Sequence, residues 1–96
     1  MQPVQQVIPH SLAAIIRKAP LCDEKVAFAW RTAVGPAVDR VTSAVLEADG
    51  VLRVRAKDPS WEREVERSAA VVRHRMAALL GTGVVRRIDV VRTGSR

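Results

Sequence analysis

The sequence predicts an α+β fold in which helices cover one face of a three-stranded sheet. Apolar and basic residues alternate over residues 52–57, which is the period of two typical of a half-buried strand. Directly afterwards, apolar residues recur at steps of three and four over about residues 59–80, which indicates one face of a long helix. A further apolar segment follows this helix. A strand–helix–strand connection usually places its two strands in one sheet, so a three-stranded sheet is expected.

Length and composition are those of one small domain. The chain has 96 residues, of which 48% are hydrophobic, and none of its apolar runs is long enough to span a bilayer. We expect a flexible arm at residues 1–8, a single domain at 9–92 and a short tail at 93–96. Cys22 is the one cysteine, which excludes an internal disulfide and fits a reducing compartment. No signal peptide precedes the domain, so the cytoplasm is the expected location.

Two helices are predicted in the first third of the chain. The first is a short helix with an apolar face that ends before Pro20. The second spans about residues 23–34 and places Trp30 on its apolar side, so Trp30 is predicted in the core. Gly35 and Pro36 then stop this helix, because glycine adopts positive φ readily and proline cannot continue the helical hydrogen bonding.

A β-hairpin is predicted next. Residues 42–48 form its first strand, Asp49 and Gly50 its turn, and the alternating segment its second strand. In that second strand Leu52 and Val54 would face the core, while Arg53 would point outward. A short irregular turn at residues 37–41 would precede the hairpin.

The long helix and a third strand complete the fold. Asp58 occupies the expected N-cap position and is followed by Pro59, which suits the first helical turn. Trp61 begins the apolar stripe of the helix and is therefore predicted to hold the helix against the sheet. The helix ends at residues 81–83, and the last strand runs from residue 84 or 85 to 92. The predicted order is α-α-β-β-α-β.

Catalysis is not expected from this sequence. It contains no phosphate-binding, dinucleotide-binding, C-x-x-C or nucleophile-elbow motif. Its two histidines, His10 and His74, are far apart and have no cysteine nearby, which is typical of surface positions. No nucleophile, base and orienting group occur together, so we expect no enzyme, no cofactor, no metal site and no small-molecule substrate.

Excess positive charge is the clearest functional signal. The net charge is +6, and residues 49–96 hold eleven bases against six acids. Arg53, Arg55 and Lys57 alternate along one strand at about 7 Å, close to the spacing of phosphates along a nucleic acid strand. The long helix adds further bases, among them Arg73 or Arg75. The predicted nucleic-acid-binding residues are Arg53, Arg55, Lys57, Arg63, Arg67, Arg86 and Arg87.

With only three aromatic residues in the chain, base stacking would be limited. Binding would therefore be electrostatic, sensitive to salt and poor in sequence preference. The residues leave two alternatives open. An open sheet edge or the exposed side of the long helix could dock a protein, with the bases merely solubilising the domain. Small basic cytosolic domains also serve as RNA- or ribosome-associated modules.

Four segments together resemble the DciA family of bacterial proteins. These are residues 30–36, which contain the Trp–three residues–Val-Gly-Pro pattern, the hairpin at 46–54, the helix beginning near Trp61, and the final strand at 85–90. The resemblance covers about residues 10–92. Within it, Trp30, Gly35 and Trp61 match family motif positions. From their places in the predicted elements we interpret all three as structural residues.

Membership would imply a KH-like fold and a role in chromosome replication. Proteins of this family load or operate the DnaB-type replicative helicase, bind DNA and are not ATPases. The implied partners are that helicase and DNA, single-stranded or mixed, bound with low sequence specificity, and the implied location is the nucleoid. The G-x-x-G loop of true KH domains is missing, because Gly81 and Gly83 have a different spacing. Base recognition in the KH manner is therefore not implied, and an RNA- or ribosome-associated KH-like module is the alternative.

Overall fold

A computed structural model of the protein describes residues 10–91. Its elements are α1 (His10–Lys18), α2 (Asp23–Val34), α3 (Pro36–Arg40), β1 (Thr42–Leu46), β2 (Val51–Ala56), α4 (Pro59–Leu80) and β3 (Arg87–Val91). The predicted arm at 1–8, the tail at 93–96 and the predicted end of the last strand at residue 92 lie outside the described residues.

The three strands form one mixed sheet in the order β1-β2-β3. β1 and β2 are antiparallel, as a hairpin requires. β2 and β3 are parallel, because α4 carries the chain back across the sheet before β3 begins. Helices α2 and α4 pack against the sheet. The predicted α+β class and three-stranded sheet are therefore confirmed.

Three elements differ from the predicted ones. β3 begins at Arg87, where a start at residue 84 or 85 was expected, because residues 82–84 form a turn after α4. Residues 36–40 form the short helix α3, where an irregular turn was expected, so the observed order is α-α-α-β-β-α-β.

β1 ends at Leu46 because a four-residue turn starts at once. In that turn the Gly50 amide donates to the Glu47 carbonyl at 3.0 Å, and the Glu47 amide donates to the Val51 carbonyl at 2.9 Å. Gly50 closes the turn with a φ of 88°.

The core lies between the sheet and the helices. Its largest fully buried side chains are Trp30, Leu52, Met76, Val54 and Val65. The Trp30 Nε1 donates to the Thr42 Oγ1 at 3.0 Å, and that hydroxyl donates to the Val38 carbonyl at 2.7 Å. This short chain of hydrogen bonds satisfies the buried indole N–H and joins α2 to the start of β1.

Trp61 differs from its predicted place in the core. Its side chain is half-buried, and the first buried apolar residue of α4 is Val65, one turn later. Only residues 57 and 58 separate β2 from α4, so the first turn of the helix lies at the rim of the sheet.

The start of α4 is capped as predicted. The Asp58 Oδ1 accepts a hydrogen bond from the Trp61 amide at 3.1 Å, and Pro59 is the first helical residue. Asp58→Ala is expected to lower the free energy of unfolding by about 1 kcal/mol, because a helical N–H loses its partner. Urea unfolding followed by circular dichroism measures this loss. Asp58→Asn, which keeps a capping oxygen, should lose much less; an equal loss in both variants would contradict the capping role.

Candidate nucleic-acid interface

The outer face of the sheet carries the alternating bases of β2. Arg53 and Arg55 are exposed on this face, whereas Leu52 and Val54 are buried against the helices. Lys57 is exposed just beyond the end of β2. The sheet register places Val45 and Asp89 on either side of Arg53, and Ser43 and Val91 on either side of Arg55.

Two carboxylates flank Arg53. Its Nη1 lies 2.9 Å from the Asp89 Oδ2, and its Nε lies 3.7 Å from the Glu47 Oε2. These side chains are 41–45% exposed, so the pairs contribute only a small stabilisation, but they place two negative charges beside the arginine. The outer face of the sheet therefore carries acids as well as bases around Arg53. β2 has no acid, but the hairpin turn supplies Glu47 and β3 supplies Asp89.

The same face contains a shallow depression of about 160 Å³. It is lined by Ser43, Val45, Glu47, Arg53, Arg55 and Val91. Val45 is 57% exposed, so apolar surface lies directly beside the ion pairs. The outer sheet face therefore combines apolar, basic and acidic side chains.

Arg63 and Arg67 lie on a different side of the molecule. Each is two residues from buried Val65, which places it about 160° around the helix from the core-facing side. Arg67 also pairs with Glu64, with 3.5 Å between Nη2 and Oε1. The structure therefore does not bring these two bases together with Arg53 and Arg55.

Three other cations cap the carboxyl ends of helices. Arg75 Nη1 donates to the Ala33 carbonyl of α2 at 2.9 Å, and Arg17 Nη1 donates to the Ala78 carbonyl of α4 at 2.9 Å. Lys25 Nζ donates to two carbonyls at the end of α1, at 2.7 and 3.1 Å. These contacts satisfy carbonyls that lack a partner within their own helix. Arg75, one of the two alternatives on the long helix, is thus a structural residue.

A basic groove lies between α4 and β3, and we call it the α4–β3 groove. It consists of two depressions of about 410 and 220 Å³ that share Ala70 and Arg73. Its polar walls carry Arg73, His74, Arg86 and Arg87. Among the described residues, neither Asp nor Glu lines it.

The fold brings these bases together through the parallel crossover. Arg73 Nη1 donates to the Arg86 carbonyl at 3.2 Å, and the Arg86 amide donates to the Gly50 carbonyl at 2.7 Å. The segment leading into β3 is therefore held by α4 on one side and by the hairpin turn on the other. Arg86 and Arg87 were among the predicted bases. Arg73 was only one of two alternatives, and His74 was read as a surface residue without a role.

The predicted structural residues Trp30 and Gly35 are placed away from these charged surfaces. Trp30 is 1% exposed and is therefore inaccessible to a partner. Gly35 ends α2 with a φ of 89° and a ψ of 163°, a combination that is essentially restricted to glycine. The positive φ expected for a helix stop is present, and the same residue also precedes α3.

Metal sites and membrane-spanning helices were searched for within residues 10–91. No three His, Cys, Asp or Glu side chains in this part of the chain are grouped so that they could hold a metal ion. Over the same residues, no helix is long and apolar enough to cross a membrane. The basic groove and the mixed sheet face therefore remain the surfaces of interest.

Comparison with known proteins identifies the family to which the chain belongs. No curated protein matches the chain. The family model described as "Dna[CI] antecedent, DciA" matches residues 3–90, which is nearly the whole sequence. The chain therefore belongs to the DciA family, whose members are known in general as non-catalytic, helicase-loader-type proteins associated with the DnaB helicase.

Proposed function

We propose that this protein is a non-enzymatic adaptor that binds the DnaB-type replicative helicase and DNA, and helps to load or operate the helicase during replication. The observation that carries the proposal is the match of residues 3–90 to the DciA family. An adaptor of this kind works at the nucleoid.

The distribution of charge supports a DNA-binding role. The net charge is +6, and Arg55, Lys57, Arg86 and Arg87 are all exposed. Among the described residues, none of these four side chains forms an ion pair within the chain. Such cations are available to replace the counterions of a phosphate backbone, which makes binding salt-sensitive and largely independent of sequence. We assign Arg53 and Arg67 a peripheral role because each lies beside a carboxylate. Arg63 is assigned the same role because Glu64 and Glu66 follow it in the helix and offset its charge.

Capture of the helicase tests the adaptor role. We expect a tagged chain to retain a hexameric replicative helicase from a nuclease-treated bacterial lysate, and to bind the purified helicase directly. Nuclease treatment excludes bridging by DNA. Retention of ribosomal particles in place of the helicase would contradict the proposal and favour an RNA-binding module.

Binding to the purified helicase should persist at salt concentrations that abolish DNA binding, if the two partners use different surfaces. A helicase interaction that disappears together with DNA binding as salt rises would instead indicate that the same cations serve both partners.

A further inference from the structure

We infer that the α4–β3 groove holds the sugar–phosphate backbone of single-stranded DNA, with Arg73, Arg86 and Arg87 as its phosphate-binding groups. This inference rests on the proposed DNA-binding role and narrows it from a dispersed set of bases to one groove. It also adds Arg73, which replaces Arg53 as a principal DNA contact.

Charge distinguishes the groove from the other basic surfaces. On the outer sheet face Arg53 lies between Glu47 and Asp89, and on the exposed side of α4 Arg67 lies beside Glu64. An incoming phosphate would meet negative charge at both places. Among the described residues the α4–β3 groove is lined by bases without acids, so a polyanion is attracted along its length.

Shape favours a single strand over a duplex. The groove is concave, and its two depressions of about 410 and 220 Å³ adjoin one another. Small residues, among them Ala70, Ala77 and Gly83, line it and leave room for a backbone to lie close to the protein. Duplex recognition instead places a protruding helix or ribbon into a groove of the DNA. A single strand fits a basic groove that follows its backbone.

Arg73 is positioned before any ligand binds. Its Nη1 donates to the Arg86 carbonyl at 3.2 Å, which orients the guanidinium and leaves its other donors for a phosphate. The same contact occupies the Arg86 carbonyl, immediately before the edge strand β3.

The lining also predicts the mode of binding. No Phe, Tyr or Trp is among the side chains that line the two depressions, so base stacking contributes little there. Contacts to phosphate should dominate. For a single strand, the logarithm of the binding constant falls with the logarithm of salt concentration by about 0.7 for each phosphate neutralised.

Two matched double variants test the groove. Arg73→Gln/Arg87→Gln removes two positive charges from the groove, and Arg63→Gln/Arg67→Gln removes two from positions nearer the start of α4, which do not line the groove. Fluorescence anisotropy with a labelled oligothymidylate, over a series of salt concentrations, gives the affinity and the salt dependence of each. We expect the groove variant to bind about a hundredfold more weakly at low salt, as the loss of two hydrogen bonds to charged groups predicts. Its salt slope should be smaller by about 1.4, while the control stays close to the parent.

Thermal unfolding of each variant checks that the fold is intact. Should the loss of the Arg73–Arg86 contact prevent folding, the single variant Arg87→Gln serves instead. Its side chain is exposed and forms no hydrogen bond or ion pair with the described residues, so it should lose about half of the slope change.

Each alternative result overturns a specific part of the inference. Equal losses in the two double variants would overturn the groove and leave DNA binding intact. Tighter binding of a matched duplex would overturn the single-stranded ligand. Binding of polyglutamate that depends on Arg73 and Arg87 and matches that of the oligonucleotide would assign the groove to an acidic peptide. If the parent protein fails to bind the oligonucleotide, the DNA-binding part of the proposed function is wrong. The helicase-binding part is tested independently, by the capture experiment.

Discussion

Trp30→Ala is expected to lower the free energy of unfolding by about 3–5 kcal/mol, the usual range for a buried large aromatic residue. The indole is 1% exposed, and its removal leaves a cavity between α2 and the sheet. The substitution also removes the donor that reaches the Thr42 hydroxyl at 3.0 Å. Natural domains have total stabilities of about 5–15 kcal/mol, so this loss would remove a large part of the stability of so small a domain.

Two companion variants separate the causes of that loss. Trp30→Phe keeps an aromatic ring but removes the N–H, so it should cost more than the lost hydrogen bond alone, about 1 kcal/mol, and less than the alanine variant. Trp61→Ala should cost less than Trp30→Ala because Trp61 is half-buried. Urea unfolding followed by far-ultraviolet circular dichroism compares all three without relying on tryptophan fluorescence. A larger loss for Trp61→Ala would contradict the assignment of Trp30 as the central core residue.

The two tryptophans show how far periodicity predicts packing. Both lie on apolar helical stripes, so the sequence places both against the core. Periodicity gives the direction of a side chain around the helix axis, but not how far the neighbouring layer extends along that axis. Trp30 lies over the sheet, whereas Trp61 lies in the first turn of a helix that starts at the rim of the sheet. That difference depends on tertiary structure.

A similar limit applies to the charged surfaces. The alternation in β2 correctly predicts that Arg53 and Arg55 point outward, because the period of a strand is a local property. It does not predict that Asp89, 36 residues further along the chain, pairs with Arg53. That contact depends on the parallel register between β2 and β3, which the hydrophobic pattern alone does not determine.

The different roles of Arg73 and Arg75 also depend on tertiary structure. They are two residues apart on one helix, so they point to different sides of it. Arg75 reaches a carbonyl at the end of α2, and Arg73 reaches the segment before β3. The sequence offers both as exposed bases on a helix. Their different uses follow from which element packs on each side of α4.

Gly50→Ala is expected to lower the free energy of unfolding by more than the 1–2 kcal/mol that a positive φ alone costs an alanine. Gly50 has a φ of 88°, and an added Cβ would lie 2.7 Å from the Arg86 Cδ and 2.8 Å from its Cγ. The Arg86 side chain would have to move. Because the Arg86 amide also donates to the Gly50 carbonyl at 2.7 Å, the strain falls where the hairpin turn supports the α4–β3 groove.

Gly83→Ala is the matched control for the backbone cost. Gly83 has a φ of 89°, and a Cβ added there would meet no atom within 4 Å. The difference between the unfolding free energies of the two alanine variants therefore measures the close approach of Arg86 to Gly50. Equal losses would show that the Arg86 stem moves aside freely. In that case the hairpin turn would hold Arg86 through the backbone hydrogen bond to the Gly50 carbonyl and not through side-chain packing.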